Sequence, residues 1–121
     1  MPIVTDTGFA QDTHNGPIRD LPSDTAPETL DASIDDMIRI DFPSFADGRG
    51  FTLARLLRLR GFTGRLRAKG HVIADQYAMA RRSGFDEVEI DEALAARQPE
   101  EQWLARADWQ AHDYQSRLRG A

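Results

Sequence analysis

The chain has 121 residues and a mass of 13.6 kDa, room for one domain, with 40% hydrophobic and 29% charged residues and a mean hydropathy of −0.53. Its net charge of −5 hides a segregation: residues 1–47 carry a net −8, residues 48–82 a net +8 and residues 83–121 a net −5. With no cysteine, disulfides, thiolate nucleophiles, cysteine-held iron–sulfur clusters and zinc knuckles are excluded, and the longest apolar runs, four residues at Tyr77–Ala80 and Ala93–Ala96, fall far short of the ~20 residues that span a membrane.

Residues 1–36 read as an irregular, acidic segment. Pro2, Gly8, Gly16, Pro17, Pro22 and Pro27 punctuate it, with Asp, Thr and Ser between them. Pro-Ile-Val-Thr and Gly-Phe-Ala-Gln suit a short hairpin, so the segment can add an edge strand or a cover. No basic region followed by an apolar stretch opens the chain, which makes the cytoplasm the expected compartment.

An α/β domain is expected over residues 37–118. Met37-Ile38-Arg39-Ile40-Asp41-Phe42 alternates like a strand and stops at Pro43. After a loop at residues 44–50, Leu53, Leu56, Leu57 and Arg60 recur at helical spacing. That predicts a helix over 51–60, with Thr52 as N-cap, Phe51 and Leu56 as a hydrophobic staple and Gly61 as the stop. A second unit pairs a strand at 65–68 with a helix at 71–83 closed by Gly84. A third pairs a strand at 85–90 with helix formers at 91–96. Pro99 then suits the start of a last helix running towards Leu118, with the stripe Leu104, Ala107, Ala111, Tyr114 and Leu118. This alternation predicts a small parallel sheet of about three β-α units joined by right-handed crossovers.

Ligands of such sheets bind beyond the carboxyl ends of the strands. There the loop Pro43-Ser44-Phe45-Ala46-Asp47-Gly48-Arg49-Gly50 meets Lys69-Gly70-His71 and Asp91-Glu92. Gly48 and Gly50 let the backbone bend around Arg49 ahead of a helix N-terminus, an arrangement suited to anions. Arg49, Gly48, Gly50, Lys69 and His71 are therefore the anion-binding candidates. The competing reading has Asp47 capping a turn and pairing with Arg49. His71 is equally suited to a surface or cap role, and Gln76, beside Asp75, to a bond with a loop backbone. The three histidines lack metal-ligand spacing, so no metal site is expected, and no flavin, haem or nicotinamide motif occurs, so no cofactor is assigned. The arginine-rich middle lacks interleaved aromatics and the sequence pI is about 5.1. Pairing with carboxylates of the chain or of a partner protein explains it better than nucleic acid does. Trp103 reads as core; Trp109 reads either as an interface residue or as packed on the N-terminal segment.

The run from Ile40 to Arg58, with Asp47-Gly48-Arg49-Gly50 at its centre, resembles the signature of a bacterial family called domain of unknown function 934. The resemblance continues through Gly64-Arg65-Leu66-Arg67-Ala68, Asp75-Gln76 and Arg81-Arg82-Ser83-Gly84-Phe85-Asp86. Members are typically encoded beside assimilatory sulfite reductase and adenylyl-sulfate reductase. They are described as oxidoreductases or electron-transfer accessories of sulfite reduction. The resemblance thus implies an accessory of that step, with sulfite reductase or another sulfate-assimilation enzyme as partner. The alternative is a small enzyme domain binding an oxyanion or phosphate at residues 47–50. Asp47, Gly48, Arg49, Gly50, Arg55, Asp75 and Gln76 would be signature positions. Two departures stand out. Ser83 replaces a frequent cysteine, and Gly70-His71-Val72 replaces a common Gly-Asp-Val.

Overall fold

A computed structural model describes residues 1–31 and 36–110. Six strands form one sheet: β1 (Ile3–Thr5), β2 (Gly8–Ala10), β3 (Arg19–Leu21), β4 (Met37–Phe42), β5 (Arg65–Gly70) and β6 (Glu87–Glu89). Their order is β2-β1-β6-β5-β4-β3. β3, β4, β5 and β6 run parallel, while β1 is antiparallel to both β6 and β2. The sheet is therefore mixed, where a small parallel one was expected, and the segment read as irregular supplies three of its strands. The expected hairpin is present, with Val4 opposite Phe9. β3 was missed because three residues are too few for a period-2 pattern; only its pairing with β4 defines it.

Strand parity sorts the side chains onto two faces. Val4, Ile38, Ile40, Phe42, Leu66, Ala68 and Val88 point one way and are all buried. Onto them pack Leu53, Ala54 and Leu57 of α1 (Arg49–Leu59) and Tyr77 and Ala80 of α2 (Tyr77–Ser83). β4, β5 and β6 follow one another in a single direction across the sheet. Right-handed crossovers of that kind put both helices on the same side. The opposite face carries Arg39, Arg67, Glu87 and Glu89.

The helices differ from expectation at their ends. α1 starts at Arg49, with Gly48 in the cap position and no side-chain cap bond, so Thr52 lies inside the first turn. Its end is as expected: Gly61 takes a φ of +95°, and the amides of Gly61 and Phe62 donate to Arg58 and Leu57 carbonyls, each at 3.0 Å. The helix expected over 71–83 shortens to a 3-10 turn at Ala74–Gln76 followed by α2. His71 stays tied to the strand layer by its amide bond to the Phe42 carbonyl at 2.9 Å, and so it opens no helix. α3 (Glu92–Arg97) is capped by Asp91, whose side chain accepts from the Leu94 amide. α4 (Glu100–Leu104) follows Pro99 and ends at Ala105. The longer helix expected there is not continuous beyond it, and positions 111–118 of its stripe lie outside the described residues. Trp103 is buried, while Leu104, placed on the expected stripe, is exposed.

Gly70 is held at a φ of +111°, and a Cβ there would come within 2.7 Å of the Phe42 carbonyl oxygen. Gly70→Ala should therefore combine backbone strain with a clash against main chain and cost roughly 1–3 kcal/mol. Urea unfolding of this variant, beside a Gly61→Ala control with nothing near its Cβ, separates the clash from the strain.

Candidate functional site

The loop between β4 and α1 closes on itself through Asp47. Its carboxylate accepts from the Arg49 amide (3.1 Å), from Arg49 Nε (3.0 Å) and Nη2 (2.8 Å), and from the Ser23 hydroxyl (2.9 Å). Arg49 Nη2 also donates to Ser23 Oγ at 3.2 Å. The hydrogen bonds from the Arg49 side chain and amide hold the Asp47 carboxyl well below the usual carboxylate range. Gly50 permits α1 to sit on β4, since a Cβ there would meet the Phe42 ring at 2.5 Å. Beside this loop lies a cleft of about 310 Å³ lined by Ser23, Thr25, Pro27, Arg49, Thr52 and Leu53. Any anion entering it meets Arg49 already paired.

The remaining candidates are spread over different surfaces. Lys69 points to the face opposite the helices, level with Asp41, in a second cleft that it shares with Asp20, Leu21, Pro22 and Asp41. It is not brought together with Arg49. His71 is exposed, its Nδ1 3.3 Å from the Phe42 carbonyl oxygen. Gln76 accepts from the Ile73 amide (3.1 Å) and donates to the Phe45 carbonyl (2.7 Å), tying the signature loop to the turn before α2. Asp75 pairs with Arg106 at 2.8 Å on the surface. Arg55 is exposed on α1, with no ion pair among the described residues.

The most organised polar region lies on the face opposite the helices, and Arg67 is its centre. This side chain is fully buried. It donates to Glu87 Oε2 (2.7 Å), Glu89 Oε1 (2.8 Å) and both oxygens of Asp12 (3.0 and 2.8 Å). Arg65 also bonds Glu87, and Arg39 bridges Glu89 at 3.2 Å to Asp20. Burial opposes the charge of Arg67, but the three carboxylates outweigh it and hold the guanidinium above its ordinary value. The sequence signal is present at alternate positions of β5 and β6, all charged, and the expected pairing of arginines with carboxylates of the chain is found here.

Residues 11–18 explain why the centre of that face is buried. They connect β2 at one edge of the sheet to β3 at the other, so they must cross four intervening strands, five gaps spanning roughly 24 Å. Nine Cα steps reach about 30 Å at most, so the connection is a nearly extended strap, and Asp12 fastens it to Arg67. The Arg67 guanidinium, with help from the His14 amide, lowers the Asp12 pKa. A carboxylate held below its unfolded value adds stability above the ordinary carboxylate range and loses it as the pH falls through that range. Stability should decline on acidification below about pH 4, and Asp12→Asn should flatten that decline; urea midpoints measured from pH 7 to pH 3 for the two proteins test this.

A second cluster joins the hairpin to the helices. Asp6, in the β1–β2 turn, accepts from the buried Tyr77 hydroxyl, from Arg81 (3.1 Å) and from Trp109 Nε1 (3.3 Å), and Arg81 stacks over the Trp109 ring. Burial and the neighbouring Asp6 raise the Tyr77 pKa. Trp109 is thus packed on the N-terminal segment.

These observations define a small α/β domain with one helix-covered face and one strap-covered face, its charged groups organised as internal ion pairs. The chain belongs to a bacterial family: the family model described as "Bacterial protein of unknown function (DUF934)" matches residues 20–121. No curated protein and no solved structure matches the chain. Among the described residues, no helix is long and apolar enough to cross a membrane, and no group of three or more histidine or acidic side chains is placed to hold a metal ion.

Proposed function

We propose that this chain is an accessory protein of assimilatory sulfite reduction, acting in the cytoplasm by docking on a pathway enzyme such as sulfite reductase. The pathway comes from the signature resemblance. The docking role is carried by one structural contrast: Asp47, Arg49, Asp75 and Gln76 are engaged by internal partners, while large apolar side chains are left outside. Phe45 is 60% exposed, Leu59 76% and Met79 53%. A single exposed apolar residue means little, but these three belong to the signature loop, α1 and α2, which cover the same face of the sheet.

The alternative, an oxyanion site at residues 47–50, is supported by the α1 N-terminus and the adjoining cleft. There the anion must displace the Asp47 carboxylate from Arg49, which favours docking as the first reading. Deleting the gene and comparing growth on sulfate, sulfite, sulfide and cysteine tests the pathway. Failure on sulfate and sulfite with rescue by sulfide is expected; equal growth on all four would sink it. Calorimetry with sulfite tests the alternative, which requires heat that vanishes in Arg49→Ala.

A further inference from the structure

The +8 block is largely neutralised by the fold, and what remains of it is local. Arg49 pairs with Asp47, Arg58 with Asp86, Arg65 with Glu87, Arg67 with Asp12, Glu87 and Glu89, and Arg81 with Asp6. Arg55, Arg60, Lys69 and Arg82 have no carboxylate partner among the described residues. Lys69 belongs to the strap-covered face. The other three lie on the helix layer: Arg55 is exposed on α1, Arg82 is exposed on α2 and donates to the Trp109 carbonyl at 3.2 Å, and Arg60 follows α1 and donates to the Pro27 carbonyl.

The exposed apolar residues are interleaved with these cations. Leu59 lies one turn beyond Arg55, on the same outward stripe of α1, and Arg82 lies one turn beyond Met79 on α2. The helices run side by side: Arg58 of α1 donates to the Gly84 carbonyl at the end of α2 (3.0 Å), and Gln76 before α2 donates to the Phe45 carbonyl before α1 (2.7 Å). Phe45 therefore stands at one end of the helix pair and Leu59 at the other, with Met79 between them and arginines around them.

We infer that the outward face of α1 and α2, with Phe45 and Leu59 at its ends, Met79 between them and Arg55 and Arg82 beside them, binds a partner protein that presents carboxylates around an apolar patch. The inference rests on the docking reading above and names the surface and the chemistry of its occupant. Charge complementarity selects the occupant. The chain as a whole is acidic, so a cationic island on it favours an acidic surface and repels other basic ones. The apolar residues supply the area that becomes dehydrated on contact. The arginines offer planar donors that carboxylates match in pairs.

The test uses the full chain in its host, with a photo-crosslinking amino acid placed in turn at Leu59, Met79 and, on the opposite face, Lys69. Crosslinking is expected from 59 and 79 and not from 69, to a different protein whose captured peptide carries Asp or Glu flanking apolar residues. In the double variant Arg55→Glu and Arg82→Glu, capture should fall at least tenfold, and Lys substitutions at the captured acidic positions should restore it. The double variant must keep the wild-type circular dichroism and melting temperature. If it does not, the single variant Arg55→Glu, which loses no hydrogen bond or ion pair among the described residues, carries the comparison. Absence of crosslinks from 59 and 79, equal capture from 69, capture of a second copy of this chain, or indifference to charge reversal each overturns the inference. An acidic partner unrelated to sulfite reduction keeps this surface and overturns the pathway. A sulfite reductase that co-purifies but crosslinks only from another face does the reverse.

Discussion

Arg67→Ala should unfold a large part of the population at moderate urea, with a loss of about 3–5 kcal/mol. The substitution removes little apolar packing; its cost comes from what it leaves behind. Glu87 and Glu89 have side chains only 4% and 7% exposed, and without Arg67 they lose their shared cation in a site water barely reaches. Arg65 and Arg39 still touch them, which sets the loss nearer the lower figure. Against a total stability of roughly 5–15 kcal/mol for such a domain, that is a large fraction. Asp12 is released as well, so the strap should gain hydrogen exchange at residues 11–18 before the core does. Removing charge on both sides, as in Arg67→Met with Glu87→Gln and Glu89→Gln, should recover much of the loss, since breaking an ion pair on one side costs more than replacing it whole. A loss under about 1 kcal/mol for Arg67→Ala would mean that the ion-pair network does not hold this face together.

Trp103→Ala should be of similar size, roughly 3–5 kcal/mol. Trp103 is 1% exposed, meets Tyr77 edge-on at 6.2 Å between ring centroids, and donates through Nε1 to the Gln98 carbonyl at 2.9 Å. It is the buried side chain of α4, a helix too short to hold itself by propensity. Its loss should free α4 and, through it, the sheet edge: Glu100 of α4 accepts from the Phe9 amide of β2 at 2.8 Å. The specific readout is therefore the exchange rate of the Phe9 amide, which should rise together with the drop in urea midpoint. A protected Phe9 amide in a destabilised variant would show that β2 holds its place without α4.

The parts of the fold legible in the sequence are those governed by local rules. β4 appeared through alternation and a following proline, and β5 as a short strand that the structure extends to Gly70. α1 and α2 ended where Gly61 and Gly84 allow positive φ, at 95° and 118°, and Asp91 stands as the cap of α3. The hairpin of β1 and β2 was visible in its turn. For α1 and α2, starts were harder than stops. α1 begins two residues before the predicted start because the cap position falls to Gly48, and residues 71–76 leave the strand through a 3-10 turn that helical spacing does not distinguish from a helix. For the candidate site, the sequence carried both the Asp47–Arg49 pairing and the anion reading. It could not bring Ser23 to that pair across 24 positions, nor send Lys69 to the other face by register.

By itself, the sequence determined the α/β class, the apolar face of the sheet, the signature loop and an excess of arginine between two acidic flanks, because each of these depends on neighbours within a few residues. Only the tertiary structure decided how that charge is used. Parity and register across β4, β5 and β6 stack arginines beside glutamates, and the strap from β2 to β3 closes over them, so charges far apart in the chain cancel where water is excluded. Of the basic band's four cations that escape this pairing among the described residues, Lys69 stays on the strap-covered face. Arg55, Arg60 and Arg82 lie on the helix layer, so the basic band of the sequence becomes a small patch there.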